Sequence, residues 1–277
     1  MEKNILSKEV EQEFKQKQVN HVFHYTKRIE FLLQIIENGF FPSYCYEKIN
    51  DLEYYIPMVS FCNIPLKDVD DYLRYGNYGI GLSLVWAVKH SISPVVYIHE
   101  NTPFADLHRQ INKLHISEYL AKTIKDVFNK ALDGESISEE DDLEDPKMLM
   151  AVNEITVPAV QFFKNWKTTH KGNEVITYLE REWRYVPQLP PGDRLISNIG
   201  QELDRFNEIA KKEKPHFDIP LEIVNINDIR YLMVHEEKER EDVLEVLNRK
   251  FGKETVYKSI TSGDLLILTN QQIRNDF

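Results

Sequence analysis

A chain of 277 residues is long enough to bury a substantial core, as one large domain or two modest ones. Its composition, 42% hydrophobic and 29% charged with few Gly and Pro, excludes a chain that is disordered or low-complexity throughout. Forty-five acidic against thirty-four basic residues give a formal charge of -11, which works against stable, sequence-independent binding to a phosphate backbone.

The first residues, MEKNILSKEVEQEFKQKQ, are charged and helix-prone and lack the apolar core of a secretion signal, so 1–20 reads as a helical extension. Next, Val22, Phe23 and Tyr25 around His24 predict a short strand. Ile29, Leu32, Leu33 and Ile36 then recur at helical spacing up to Gly39, a residue suited to ending a helix. GFFPSYCY from Gly39 reads as an extended loop and IPMVSF from Ile56 as a buried strand. YGNYGIGLS from Tyr75 holds three glycines among apolar residues, the mark of a turn and short strand closely approached by another group. A helix is expected from Trp86 to His90 and a strand from Pro94 to Ile98.

From Leu107 to Leu132 the composition is helical, and it runs into GESISEEDDLEDPK at 134–147, seven of whose fourteen residues are acidic, which reads as a solvated loop or insertion. Strands are predicted at Ala159–Phe163, Trp183–Val186, within Ile223–Val234, and at Leu265–Leu268. Helices are predicted near Gly200–Lys211 and at Glu239–Phe251. The short strands with few helical crossovers point to a single α+β domain over 1–277, with a compact, largely antiparallel sheet pair. Two cysteines, Cys45 and Cys62, allow at most one disulfide and cannot complete a metal quartet, so no metal and a reducing, cytoplasmic setting are expected. No window approaches the roughly 20 apolar residues that span a bilayer.

Three clusters bear chemistry. His24 and Thr26, two apart on a strand, share a face and can together bind a ribose hydroxyl or an amide; alternatively, Thr26 caps the next helix. In EREWRY from Glu180, alternation sets Glu180, Glu182 and Arg184 on one charged face and Arg181, Trp183 and Tyr185 on the other. Such a carboxylate beside a pocket can stabilise positive charge on a sugar ring, or it can merely pair with Arg184. Tyr75 and Tyr78 beside glycines suit stacking on a flat ring, although the dinucleotide-binding glycine pattern is absent. A smaller basic and aromatic island, Lys164, Lys167 and His170 around Trp166, reads as a solvated connection or a phosphate contact.

Taken in order, HYT at His24, FPSYCYE at Phe41, PMVSFCNIPL at Pro57, YGNYGIGLS at Tyr75 and EREWRYV at Glu180 resemble the AbiGi family of abortive-infection proteins, from Val22 to Pro187. That resemblance implies a role in phage defence as one member of a pair, this one an antitoxin whose neighbour is a nucleotidyltransferase-like toxin. The same pieces also look like a divergent ADP-ribosyltransferase, a fold that cleaves NAD between two small packed sheets. Carried over, that likeness makes His24, Glu182 and Tyr78 catalytic. His24, Tyr25, Thr26, Ser60, Tyr78 and Arg184 would contact NAD as substrate: His24 on the nicotinamide ribose, Tyr78 near the nicotinamide, Glu182 at the oxocarbenium-like transition state. Two functions follow. The first is an NAD-cleaving transferase that modifies a protein or nucleic-acid target, and the alternative is a non-catalytic antitoxin that neutralises its partner through an interface.

Overall fold

The computed structural model describes residues 19–50, 52–66, 68, 75–114, 156–170, 172–189, 196–197 and 217–276. The acidic run at 134–147, the helix expected near 200–211 and nearly all of the N-terminal extension lie outside these residues.

The centre is a mixed, mostly antiparallel sheet. Its order is β13 (Leu266–Thr269), β12 (Ile229–Val234), β4 (Tyr78–Ser83), β1 (His21–Thr26), β3 (Leu52–Cys62), β10 (Glu182–Tyr185) and β5 (Ser93–Pro94). Within this sheet, among the described residues, only β12 and β13 pair in parallel. The N-terminal half of β3 carries two further partners, β2 (Ser43–Ile49) and β11 (Ile196–Ser197). GFFPSYCY is therefore a loop only to Pro42. From Ser43 it is a strand paired with β3 from Ser43↔Met58 to Ile49↔Leu52, the hairpin turning at Asn50 with φ of 54°. Asn is among the few side chains that tolerate that left-handed conformation.

Strand alternation gives the sheet two unlike faces. On one, Val22, Val59, Phe61, Ile80, Leu82, Leu232 and Val234 form the main core. Helix α1 (Ile29–Asn38) buries Leu32 and Ile36 in that core, α4 (Glu239–Phe251) buries Val243 and Leu247, and α5 (Lys253–Thr261) buries Val256. The short α2 (Leu84–Lys89) adds Trp86 and is capped by Ser83, whose hydroxyl accepts the Trp86 N–H at 3.1 Å. Gly39 ends α1 with φ of 84°, and a Cβ there would lie 2.5 Å from the Leu221 carbonyl oxygen. Lys250 of α4 donates to the Ile36 and Glu37 carbonyls at 2.8 and 3.0 Å, satisfying acceptors that the end of α1 leaves open.

The other face is covered in two places. Phe23 and Met233 pack with Ile64 and with Ile273 of α6 (Asn270–Asp276). Ile49, Tyr54, Ile56 and Met58 pack under Ile98 of β6 (Val96–Ile98), Ala105 of α3 (Pro103–Leu114), Val160, and Phe163 of β7 (Phe163–Asn165). Residues 156–161 are helical where a strand from Ala159 was expected, because a short apolar run fits either period. The hairpin of β8 (Lys167–His170) and β9 (Asn173–Ile176) stands apart from the main sheet. No helix among the described residues is long and apolar enough to cross a membrane.

Candidate functional site

β1 lies between β3 and β4 but is unequally joined to them. It pairs with β4 along its whole length, His21↔Ser83 to Thr26↔Tyr78, and with β3 only at Phe23↔Cys62. Beyond that point β1 and β3 part. His24 fills the opening, its Nδ1–H donating to the Ser60 carbonyl at 2.9 Å while its ring sits against Phe40 and Phe61 with centroids 5.2 and 5.8 Å away. Burial pushes the His24 pKa down, against the pull of the Ser60 carbonyl, so the ring stays neutral at neutral pH.

Two hollows meet at this opening, one on each side of the sheet, and both are lined by His24, Cys45, Met58 and Ser60. The helix-side hollow, about 760 Å³, adds Thr26, Phe31, Gln34, Asn38 and Phe41, and no charged side chain among the described residues. The opposite hollow, about 260 Å³, adds Phe23, Tyr25, Tyr75, Lys164 and three carboxylates, Glu47, Glu180 and Glu182.

The carboxylates come from three elements. Glu47 projects from β2; Glu180 ends a 3-10 turn at Thr177–Glu180; Glu182 opens β10 after Arg181, whose φ of 45° turns the chain between them. The expected charged strand from Glu180 is thus a strand only from Glu182, yet Glu180, Glu182 and Arg184 do converge. Arg184 is fully buried. Its Nε donates to Glu182 Oε1 at 2.6 Å and its terminal nitrogens to Glu47 at 2.8 Å, to the Gln161 carbonyl at 2.8 Å and to the Phe163 carbonyl at 3.2 Å. Lys164 donates to Glu182 Oε2 and lies 3.4 Å from Glu180 and 3.7 Å from Glu47. Tyr75 donates to Glu180, and the Tyr97 hydroxyl accepts the Glu182 N–H at 2.8 Å. Burial alone would raise the Glu182 pKa, but Arg184 and Lys164 outweigh it and hold the carboxyl at about 2. Lys164 goes the same way: burial opposes its charge and the three carboxylates keep it firmly protonated.

The structure therefore brings His24, Tyr25, Ser60 and Glu182 to one hollow and places Thr26 in the other. Thr26 does not cap α1; Arg28 holds the cap position, without a side-chain bond. Tyr78 lines neither hollow: its hydroxyl donates to Glu239 at 2.7 Å, beside α4. Arg184 is spent on its own network and does not reach the hollow. Glu47 escaped the sequence reading, and Lys164, expected in a solvated connection or a phosphate contact, instead lies among three carboxylates. Buried lysines are rare, so one in a polar run reads as exposed; its flanks, the apolar Phe162 and Phe163, were the available signal.

Fold and site together define a mixed α+β protein whose sheet parts at a neutral histidine beside a buried ion cluster. The family model described as "Putative abortive phage resistance protein AbiGi, antitoxin" matches residues 38–234, more than half of the chain, and the chain belongs to the AbiGi family. A relative, the abortive phage resistance protein AbiGi of Lactococcus lactis subsp. cremoris, is 26% identical over 266 residues, covering 86% of this chain and 100% of its own length. No solved structure matches. The family match takes in Ser60, Tyr78, Glu182 and Arg184 and begins after His24.

Proposed function

We propose that the chain acts in the cytoplasm as the antitoxin member of an abortive-infection pair and restrains its toxin through a protein interface. The observation that carries this reading is the engagement of Glu182: Arg184 holds one carboxylate oxygen and Lys164 the other. A carboxylate already paired with two cations has little charge left to stabilise an oxocarbenium-like centre. The family's description as an antitoxin favours the same reading. A formal charge of -11 suits docking on a basic, nucleic-acid-handling toxin such as a nucleotidyltransferase-like enzyme.

One observation favours a second reading, an NAD-cleaving ADP-ribosyltransferase: His24, Tyr25, Ser60 and Glu182 line a single hollow where the sheet parts. In that chemistry the bond between nicotinamide and ribose breaks, nicotinamide leaves, and a nucleophile of the acceptor bonds to the ribose carbon. His24 would hold the nicotinamide ribose, with Thr26 at the far side of the opening, and Glu182 would face the developing positive charge. Tyr78 and Arg184 have no place in it without rearrangement, since Glu239 engages one and the buried ion cluster the other.

One experiment separates the two. The chain, its Glu182→Gln and His24→Gln variants, and the toxin encoded beside it are purified. Toxin binding and nicotinamide release from NAD, with and without lysate of phage-infected cells, are then measured. The antitoxin reading expects all three forms to bind the toxin and none to release nicotinamide. Release by the wild type that both variants abolish replaces it with the transferase reading.

A further inference from the structure

Strand alternation puts the side chains of His24 and Thr26 on the face of β1 that carries Val22, the side on which α1 packs. The His24 Nδ1–H is engaged by the Ser60 carbonyl. A carbonyl can only accept, so the lone pair of the neutral ring lies on Nε2. Nε2 has no partner among the described residues, and it is not one of the polar atoms sealed from solvent: it opens on the helix-side hollow. A fixed acceptor thus stands at the floor of a hollow of about 760 Å³, within the range of roughly 300–1,000 Å³ usual for small-molecule sites.

The rest of the lining narrows the class of occupant. Phe31 of α1 and Phe41 beyond its end keep 44% and 40% of their surfaces exposed, large aromatic areas beside the opening. Gln34 and Asn38, one turn apart on α1, and Thr26 bring amide and hydroxyl groups that donate as well as accept. None of these three side chains has a partner among the described residues. No charged side chain among the described residues lines the hollow, so an ion entering it would lose water and meet no counter-charge. Aromatic walls call for a flat ring, the missing counter-charge for an uncharged one, and the lone pair on Nε2 for one that carries an N–H.

We propose that the helix-side hollow is a binding site for an uncharged nitrogen heterocycle of the nucleobase kind, packed on Phe31 and Phe41 and donating an N–H to His24 Nε2. A free base or nucleoside meets these demands; a nucleotide adds phosphates that nothing in the lining neutralises. NAD matches them poorly, since its nicotinamide ring is cationic and its pyrophosphate anionic. The site is independent of both readings of function: the toxin interface does not require it, and the transferase chemistry belongs to the opposite hollow, at Glu182.

The test titrates the full chain with adenosine, guanosine, cytidine and uridine, and with the monophosphate of each, by calorimetry and by nitrogen NMR of the histidine rings. At least one nucleoside is expected to bind saturably with Kd below about 1 mM, several-fold more tightly than its monophosphate. On binding, the signal of His24 Nε2 moves from that of a free acceptor toward that of a bonded one, while Nδ1 stays in place. Phe31→Ala, at an exposed position, weakens binding several-fold and leaves the Tm near that of the wild type. His24→Asn sets an amide N–H where Nδ1–H stands, so the Ser60 carbonyl keeps its donor while the Nε2 acceptor is lost. Binding by that variant is expected to weaken about tenfold. Should it fail to fold, the Nε2 signal of the wild type decides. The proposal is overturned if no nucleoside binds at millimolar concentration, if binding leaves Nε2 unmoved, or if a monophosphate binds more tightly than its nucleoside.

Discussion

His21, His24 and Glu182 set how this fold answers acid, each for a stated reason. Burial holds the His21 pKa down at about 4, with the Ile64 carbonyl, 3.1 Å from Nε2, pulling the other way. His24 is lowered by burial as well. Between the unfolded value of 6.5 and the lower folded one, the unfolded chain binds the extra proton, so stability falls as pH drops through that interval. Glu182 titrates at about 2 when folded against 4.5 for the free group; its contribution is complete above pH 4.5 and is lost as pH falls towards 2. Urea denaturation at a series of pH values is therefore expected to show two successive losses. His21→Gln, which keeps an N–H for the Ile64 carbonyl, should flatten the upper one by on the order of 2 kcal/mol. Stability that stays level from pH 7 to 4.5 contradicts the burial of neutral histidines.

At the scale of elements, β4 and the residues just before it decide how closely their neighbours approach. A Cβ on Gly76 would stand 1.9 Å from the Thr26 carbonyl oxygen, one on Gly81 2.6 Å from the Phe23 ring, and one on Gly79 2.3 Å from the terminal methyl of Met233. Backbone cannot yield, packed rings yield at a cost, and the end of a methionine moves readily. Thermal denaturation of the three alanine variants should rank them Gly79→Ala mildest, Gly81→Ala next at about 1–3 kcal/mol, and Gly76→Ala worst; any other order refutes the account.

That ranking also shows what could be read in advance. Three glycines in nine residues announced a close approach, but not that the approaching groups are the chain's own Thr26, Phe23 and Met233. The helix at Glu239–Phe251 was legible to the residue, because its periodicity is long and regular. β2 was not: Pro42 and mixed polarity hid it, and Asn50-Asp51 lacks the glycine that marks a two-residue hairpin turn. His24 and Glu182 stood out in the sequence because their neighbours alternate cleanly. Lys164 did not, since its burial depends on Glu47, 117 positions earlier, and on Glu182, 18 later.

For the whole molecule the two kinds of charge separate. The ion cluster of Glu47, Glu180, Glu182, Lys164 and Arg184 is buried and compact, so bulk salt screens it weakly. Among the described residues, other ion pairs such as Arg28–Glu30 and Lys238–Glu236 are solvent-exposed. On the proposed antitoxin reading, a chain of this net charge would find a basic toxin by long-range attraction, which at about 0.1 M salt already decays over ~10 Å. Raising salt from about 0.05 to 0.5 M should therefore slow association with the toxin several-fold and leave dissociation and the folded stability of the chain little changed. Stopped-flow association and denaturation curves over the same salt series measure both. An association rate indifferent to salt would mean that the net charge takes no part in finding the partner, and that contact rests on apolar surface alone.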